Sequence, residues 1–156
     1  MSGEQPRWLD ESEMAAWRAY VVGSALLTYR LHRDLQERHG LALADYELLV
    51  RLSEVPGGAI RMSSLAGLVA SSKSRVSHQV GRMVNDGLVR REGCSSDARG
   101  VFAVLTAKGA ARLEDAAPTH VKGVREHLVD RLSAEERATV AEVFGRVADR
   151  LRGMSS

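Results

Sequence analysis

A mainly α-helical fold with one short β-hairpin set between helices is what the 156-residue sequence predicts. Three observations carry this reading. Helix-start signals and apolar residues at helical spacing recur along most of the chain. Only two short runs, Leu88–Arg91 and Val101–Leu105, change to a strand-like pattern. Aromatic residues are 4% of the chain against 44% apolar, which predicts a core of Leu, Val and Ala. The expected order is α-α-α-α-β-β-α-α. Two strands are too few to make a core, so they read as a ribbon attached to a helical body.

The first helix starts at Asp10, which caps it, with Glu13 three residues on as in a capping box. It runs to about His39, where Gly40 ends it. That is about 40 Å of helix at 1.5 Å per residue. Met14, Trp17, Val21, Ser24, Thr28, Leu31 and Leu35 share one stripe, which Tyr20 and Leu27 widen. A helix this long outruns a small domain and is expected to pack against a second subunit.

A second helix covers about Asp45–Glu54, broken by Pro56-Gly57-Gly58. Ser63 is an expected N-cap for a short helix over Ser64–Val69. Ser71 or Ser72 caps the next, which reaches about Asp86 and stops at Gly87. The strand Leu88–Arg91 follows, then turn material over Gly93–Gly100, then the strand Val101–Leu105. The eight-residue connection predicts a projecting, mobile tip. Thr106 caps another helix whose pattern continues to about Leu132. Pro118 lies within it and is expected to kink or split it. Ser133 and Glu136 form a capping box for a last helix with Val140, Val143, Phe144, Val147 and Leu151 on one face.

Composition excludes several classes. No run approaches 18 apolar residues, so no membrane-spanning helix is expected. The N-terminus has neither a basic nor an apolar signal segment. The one cysteine, Cys94, cannot close an internal disulfide, which suits a reducing cytoplasm. There is no GxGxxG, P-loop or GxSxG, so no enzyme and no cofactor is expected. His32 and His39 are seven residues apart, as are His120 and His127. Without an HxxxH or HExxH spacing, or a CxxC partner for Cys94, no metal site is expected.

Charge points to a partner. The chain is +2, but residues 61–108 hold eight basic and three acidic residues and so carry +5. Charge of one sign gathered in one segment is the footprint of phosphate binding. Within that segment, a short helix, a tight turn, a second helix and a hairpin make a winged helix-turn-helix. At 100° per residue, Val76, Val80, Met83 and Val84 fall on one face of the second helix. The opposite face carries Ser74, Arg75, His78, Gly81, Arg82 and Asn85, flanked by Ser77 and Gln79. Guanidinium, hydroxyl, imidazole and amide groups are those that read base edges and hold phosphates in a major groove. Arg99, at the expected hairpin tip, suits a narrow minor groove, with Asp97 pairing with it or with Arg91 to fix its direction.

The stretch Leu65-Ala-x-Leu-Val, then Val76-x-x-x-Val80-x-x-Met83-x-x-x-Gly87-Leu88-Val89-x-Arg91, then Asp97-x-Arg99-Gly100 and Leu105-Thr106-x-x-Gly109 resembles the multiple antibiotic resistance regulator (MarR) family. The resemblance spans nearly the whole chain. It implies a homodimeric, sequence-specific transcription regulator, by default a repressor, that binds a pseudo-palindromic operator in double-stranded DNA. Residues 10–40 and 107–152 would be its dimerisation helices and residues 45–106 its DNA-binding lobe. Position by position it makes Ser72, Ser74, Arg75, Ser77, His78, Gln79 and Arg82 the major-groove candidates, Arg99 the minor-groove contact and Ser63 a phosphate contact. It also implies a small aromatic or phenolic effector between the lobes, for which Trp17, Tyr20, His32 and Tyr46 are the candidate lining. Some members of this family sense oxidants through a first-helix cysteine; this first helix has none, and Cys94 lies beside Arg90 and Arg91, near the wing. The competing expectation is a helical dimer module for protein partners, indifferent to DNA.

Overall fold

The computed structural model describes residues 6–94 and 97–154; of residues 94 and 97–99 it describes the backbone. Six helices and a three-stranded sheet make up these residues. Helix α1 is Glu11–His39, α2 Leu43–Ser53, α3 Met62–Leu68, α4 Lys73–Asn85, α5 Ala107–His127 and α6 Ala134–Met154. Strands β1 (Ala59–Arg61), β2 (Val89–Cys94) and β3 (Asp97–Leu105) form an antiparallel sheet in the order β1-β3-β2. No described helix is long and apolar enough to cross a membrane.

The helix ends follow their capping chemistry. Asp10 Oδ1 accepts from the Glu13 amide at 2.8 Å, and Glu13 accepts from the Asp10 amide at 2.9 Å. Gly40 closes α1 in the left-handed region at φ 59°, which costs a residue with a Cβ about 1–2 kcal/mol. Ser133 and Glu136 form the same reciprocal pair before α6, at 3.1 and 2.8 Å.

Four details depart from the expectations. A third strand, β1, is present: Ala59, Ile60 and Arg61 pair with Val104, Ala103 and Phe102. Its three residues follow a Pro-Gly-Gly turn and are too few to show an alternation in sequence. Because β1 runs straight into α3, that helix starts at Met62, and Ser63 sits inside its first turn, not at its cap. The hairpin is longer than expected. Gly93 pairs with Val101 and Cys94 with Asp97 across a register shift, so the strands extend into the presumed connection. Helix α5 is not split by Pro118. It ends at His127, and a 3-10 turn over Val129–Arg131 leads to α6.

The core joins α1–α5 and the sheet. Leu35, Leu48, Leu49, Leu52, Leu65, Val76, Val80, Met83 and Val89 are almost wholly buried in it. Such side chains contribute about 1.5–3 kcal/mol each. Gly123 lets α5 press on α1, because a Cβ there would strike Leu31. His39 fastens the end of α1 to α5, with Nδ1 2.9 Å from Asp115 and Nε2 2.8 Å from the Thr119 hydroxyl. Helix α6 and the first half of α1 stand outside this core. No residue of α6 is buried, and Trp17, Tyr20, Val22, Leu26 and Tyr29 of α1 are exposed.

Candidate nucleic-acid interface

The helix-turn-helix is α3, a four-residue turn and α4. The turn is tight because Ala70 takes a left-handed φ of 49° and the Ser71 amide bonds to the Ala66 carbonyl at 2.9 Å. Ser72 then caps α4, its hydroxyl accepting from the Arg75 amide at 3.3 Å. The first turn of α4 holds no acidic residue, so its positive end is open to an anion.

The two faces of α4 separate as the periodicity predicts, except that Val84, expected on the buried face, is only partly buried and lines the groove on the outer side of the helix. Val76, Val80 and Met83 are buried, whereas Ser72, Ser74, Arg75, Ser77, His78 and Arg82 are exposed. Arg75 has no ion-pair partner among the described residues, so its charge is available to a phosphate or a base edge. Ser63 is exposed on α3. Gln79 is different. It is half-buried, and its Nε2 donates to Asp45 Oδ1 on α2 at 3.0 Å. Arg82 Nη2 approaches the same oxygen at 3.5 Å. Arg99 and Asp97 have their backbones in β3, and Cys94 has its backbone in β2; their side chains lie outside the described residues, as do residues 95 and 96.

Sequence reasoning missed two contributors. Asp45 read only as a helix-start residue, yet it is a buried carboxylate in a stretch of chain where Leu41, Leu43, Tyr46 and Leu48 are also buried; an acid inside so apolar a run was the available signal. Arg91, on β2, reaches across to α4 and donates to the Ser77 carbonyl at 3.0 Å. With Ser77, His78, Gly81, Arg82, Val84 and Asn85 it lines an open groove of ≈ 470 Å³ on the outer side of α4. Lys108 donates to the Asp86 carbonyl at the far end of that helix. Two of the groove's lining residues are cationic, Arg82 of α4 and Arg91 of β2.

The four residues expected to line an effector crevice fall into two groups. Trp17 and Tyr20 lie ring to ring at 5.9 Å, and Tyr20 meets Phe144 of α6 at 5.2 Å. Tyr46 instead packs on His120 of α5 at 4.5 Å, and His32 Nδ1 accepts from the Leu43 amide at 3.3 Å. Burial pushes the Tyr46 hydroxyl above its ordinary value and holds the His120 imidazole below its own. His120 Nδ1 is buried and has no hydrogen-bond partner among the described residues. A separate groove of ≈ 590 Å³ lies along α5 and the turn after it, lined by Pro118, Val121, Lys122, Arg125, Glu126, Asp130 and Arg131. None of those was an expected ligand residue. Among the described residues no cluster of metal-ligating side chains occurs.

Comparison with known proteins agrees with this geometry. No family model matches the chain. The transcriptional regulator HosA of Escherichia coli O157:H7 is 36% identical over 107 residues, which are 69% of this chain and 77% of HosA. AbsC, a MarR family transcriptional regulator from Streptomyces coelicolor, is 47% identical, with 95% of this chain and 99% of AbsC covered and a TM-score of 0.89. Sco3205, a MarR family transcriptional regulator from the same organism solved in complex with DNA, is 42% identical, with 96% and 93% covered and a TM-score of 0.90.

Proposed function

The chain belongs to the MarR family and is a DNA-binding transcription regulator; from that premise we propose that it is a homodimeric, effector-responsive repressor reading a pseudo-palindromic operator with α4. The observation that carries this is the division of α4. Val76, Val80 and Met83 are buried in the core, and Ser72, Ser74, Arg75, Ser77 and His78 are exposed, with Arg91 bonded to Ser77. These donors suit base edges and phosphates in a major groove. Ser63 and Arg82 contribute backbone contacts, and Arg99 on the wing takes the minor groove.

Dimerisation through residues 10–40 and 107–152 is supported by what those helices leave uncovered. Val140, Val143, Phe144, Val147 and Leu151 of α6 are exposed, as are Trp17, Tyr20, Val22, Leu26 and Tyr29 of α1. An apolar stripe left partly exposed on a helix with no buried residue calls for a partner surface. Two α4 helices related by a two-fold axis then meet half-sites about 10 bp apart. A small aromatic or phenolic effector acts by favouring a dimer whose α4 spacing does not fit DNA, with Trp17, Tyr20, His32 and Tyr46 the candidate lining.

The test is footprinting on DNA flanking the chain's own gene, with affinity measured over a salt series. Log affinity should fall linearly with log salt, by about 0.9 for each phosphate neutralised. Arg75→Ala should weaken binding and flatten that slope. A chain that binds its own promoter no better than random duplex refutes the operator reading. A reporter driven by the protected promoter, with and without phenolic acids, tests repression and release.

A further inference from the structure

The only buried charged residue among those described in the core, Asp45, belongs to α2 yet is spent on α4. One oxygen, Oδ1, accepts from Gln79 Nε2 at 3.0 Å and faces Arg82 Nη2 at 3.5 Å. Gln79 and Arg82 stand three residues apart and so share a side of α4. A carboxylate removed from water must be paired, and removing its partners leaves a costly bare charge. The contact therefore constrains all three side chains.

The consequence for recognition follows from where the side chains are held. A glutamine reads adenine by using its amide oxygen and nitrogen together. Half-buried and with one of its two amide N–H donors given to Asp45 at 3.0 Å, Gln79 is held toward α2, and its amide is not free to swing out to a base edge. Arg82 is affected less. Its side chain is 64% exposed, and a guanidinium has five N–H donors, so those not facing Asp45 stay open to a phosphate. A fixed guanidinium is a poor adapter to alternative bases.

We propose that Asp45 is a positioning residue for operator recognition: by tethering Gln79 and Arg82 through one oxygen it withholds Gln79 from the bases, fixes Arg82 as a backbone contact, and leaves Ser74, Arg75 and His78 as the reading set. This rests on α4 being the recognition helix. It gives specificity a determinant outside the helix-turn-helix, on a residue that touches no DNA.

The experiment compares Asp45→Ala, Asp45→Asn, Gln79→Ala and the Asp45→Ala/Gln79→Ala double variant with the full-length chain. Each is titrated with a duplex of its own promoter and with a scrambled duplex of equal length, and melting is recorded. Asp45→Ala should reduce the promoter-to-scrambled affinity ratio about tenfold, because freed side chains pair with more sequences. Asp45→Asn keeps an acceptor oxygen for Gln79 and should retain most of the ratio. In the Gln79→Ala background, Asp45→Ala should change the ratio far less. Equal tightening on both duplexes with an unchanged ratio would mean that Asp45 acts only as a charge, and would overturn the proposal. A lowered melting temperature with an unchanged ratio in the folded fraction would overturn it too. Arg75→Ala separates the layers. If it weakens promoter binding while the Asp45 variants leave the ratio intact, only the Asp45 assignment falls. If it has no effect, the α4 reading falls and Asp45 with it.

Discussion

Arg91 of β2 donates to the main-chain carbonyl of Ser77 on α4 at 3.0 Å. The wing and α4 are thereby joined where both face outward, and Gly81 lies beneath the join. A Cβ on Gly81 would meet only Arg91 Nη2, at an ordinary contact distance of 3.8 Å. Within the protein, alanine is therefore accommodated. Gly81→Ala should raise stability by about 1 kcal/mol through helix propensity, read by urea denaturation. If α4 seats closely in a groove, the added methyl obstructs DNA, and promoter affinity should fall despite the firmer helix. Unchanged affinity with raised stability would mean that this face stands clear of DNA.

Gly109 is a different kind of glycine. Its amide donates to the Thr106 hydroxyl at 3.0 Å, and that hydroxyl donates to the Gly87 carbonyl at 2.6 Å. This places the start of α5 against the chain leaving α4, and a Cβ on Gly109 would overlap the Leu88 carbonyl. Backbone cannot swing aside as a side-chain end can. Gly109→Ala should cost about 3 kcal/mol, the upper part of the range for overpacking, measured by chemical denaturation. A loss below about 1 kcal/mol would show that α5 can shift freely there.

These two glycines also show what the sequence disclosed and what it did not. The Leu-Thr-x-x-Gly pattern was legible as a signature, but its cause was not, because Leu88 meets Gly109 only once the hairpin has folded back. Asp10, Gly40, Ser72 and Ser133 were readable because capping is local: donor and acceptor lie within four residues. The buried side of α4 was readable because helical period alone sorts Val76, Val80 and Met83 from Arg75 and His78. Strand β1 was not, since three residues show no period and their partners lie more than forty positions on. Gln79 gave no sign of a partner on α2 for the same reason. Its tether to Asp45 spans 34 positions, and only tertiary packing brings the two together.

His120 makes stability depend on pH. Burial against Tyr46 disfavours its charged form and holds its pKa below the ordinary value. Above about pH 6.5, the ordinary histidine value, both folded and unfolded chains keep it neutral and it contributes no slope. As the pH falls below that value the unfolded chain takes up the proton first, so stability declines until the folded value is passed. Melting or urea midpoints from pH 8 to pH 5 should fall more steeply for the native chain than for His120→Leu. Parallel curves for the two would show that the ring is protonated as readily in the folded chain as in water.

Phe144 decides whether the exposed apolar faces are an interface. Its ring meets Tyr20 at 5.2 Å, yet it remains 43% exposed, and neither residue belongs to the buried core. A charge placed there leaves that core intact but sets a carboxylate in the middle of the apolar surface of α1 and α6. Phe144→Asp should weaken self-association by about 2 kcal/mol or more, the scale of a central aromatic anchor. Sedimentation should show the native chain as a dimer and the variant shifted toward monomer, with a lower melting temperature that depends less on concentration where the monomer prevails. Promoter affinity should fall in parallel, because two half-sites no longer meet a preassembled pair of α4 helices. A native chain that sediments as a monomer at micromolar concentration would refute the dimer, and operator symmetry would then have no counterpart in the protein.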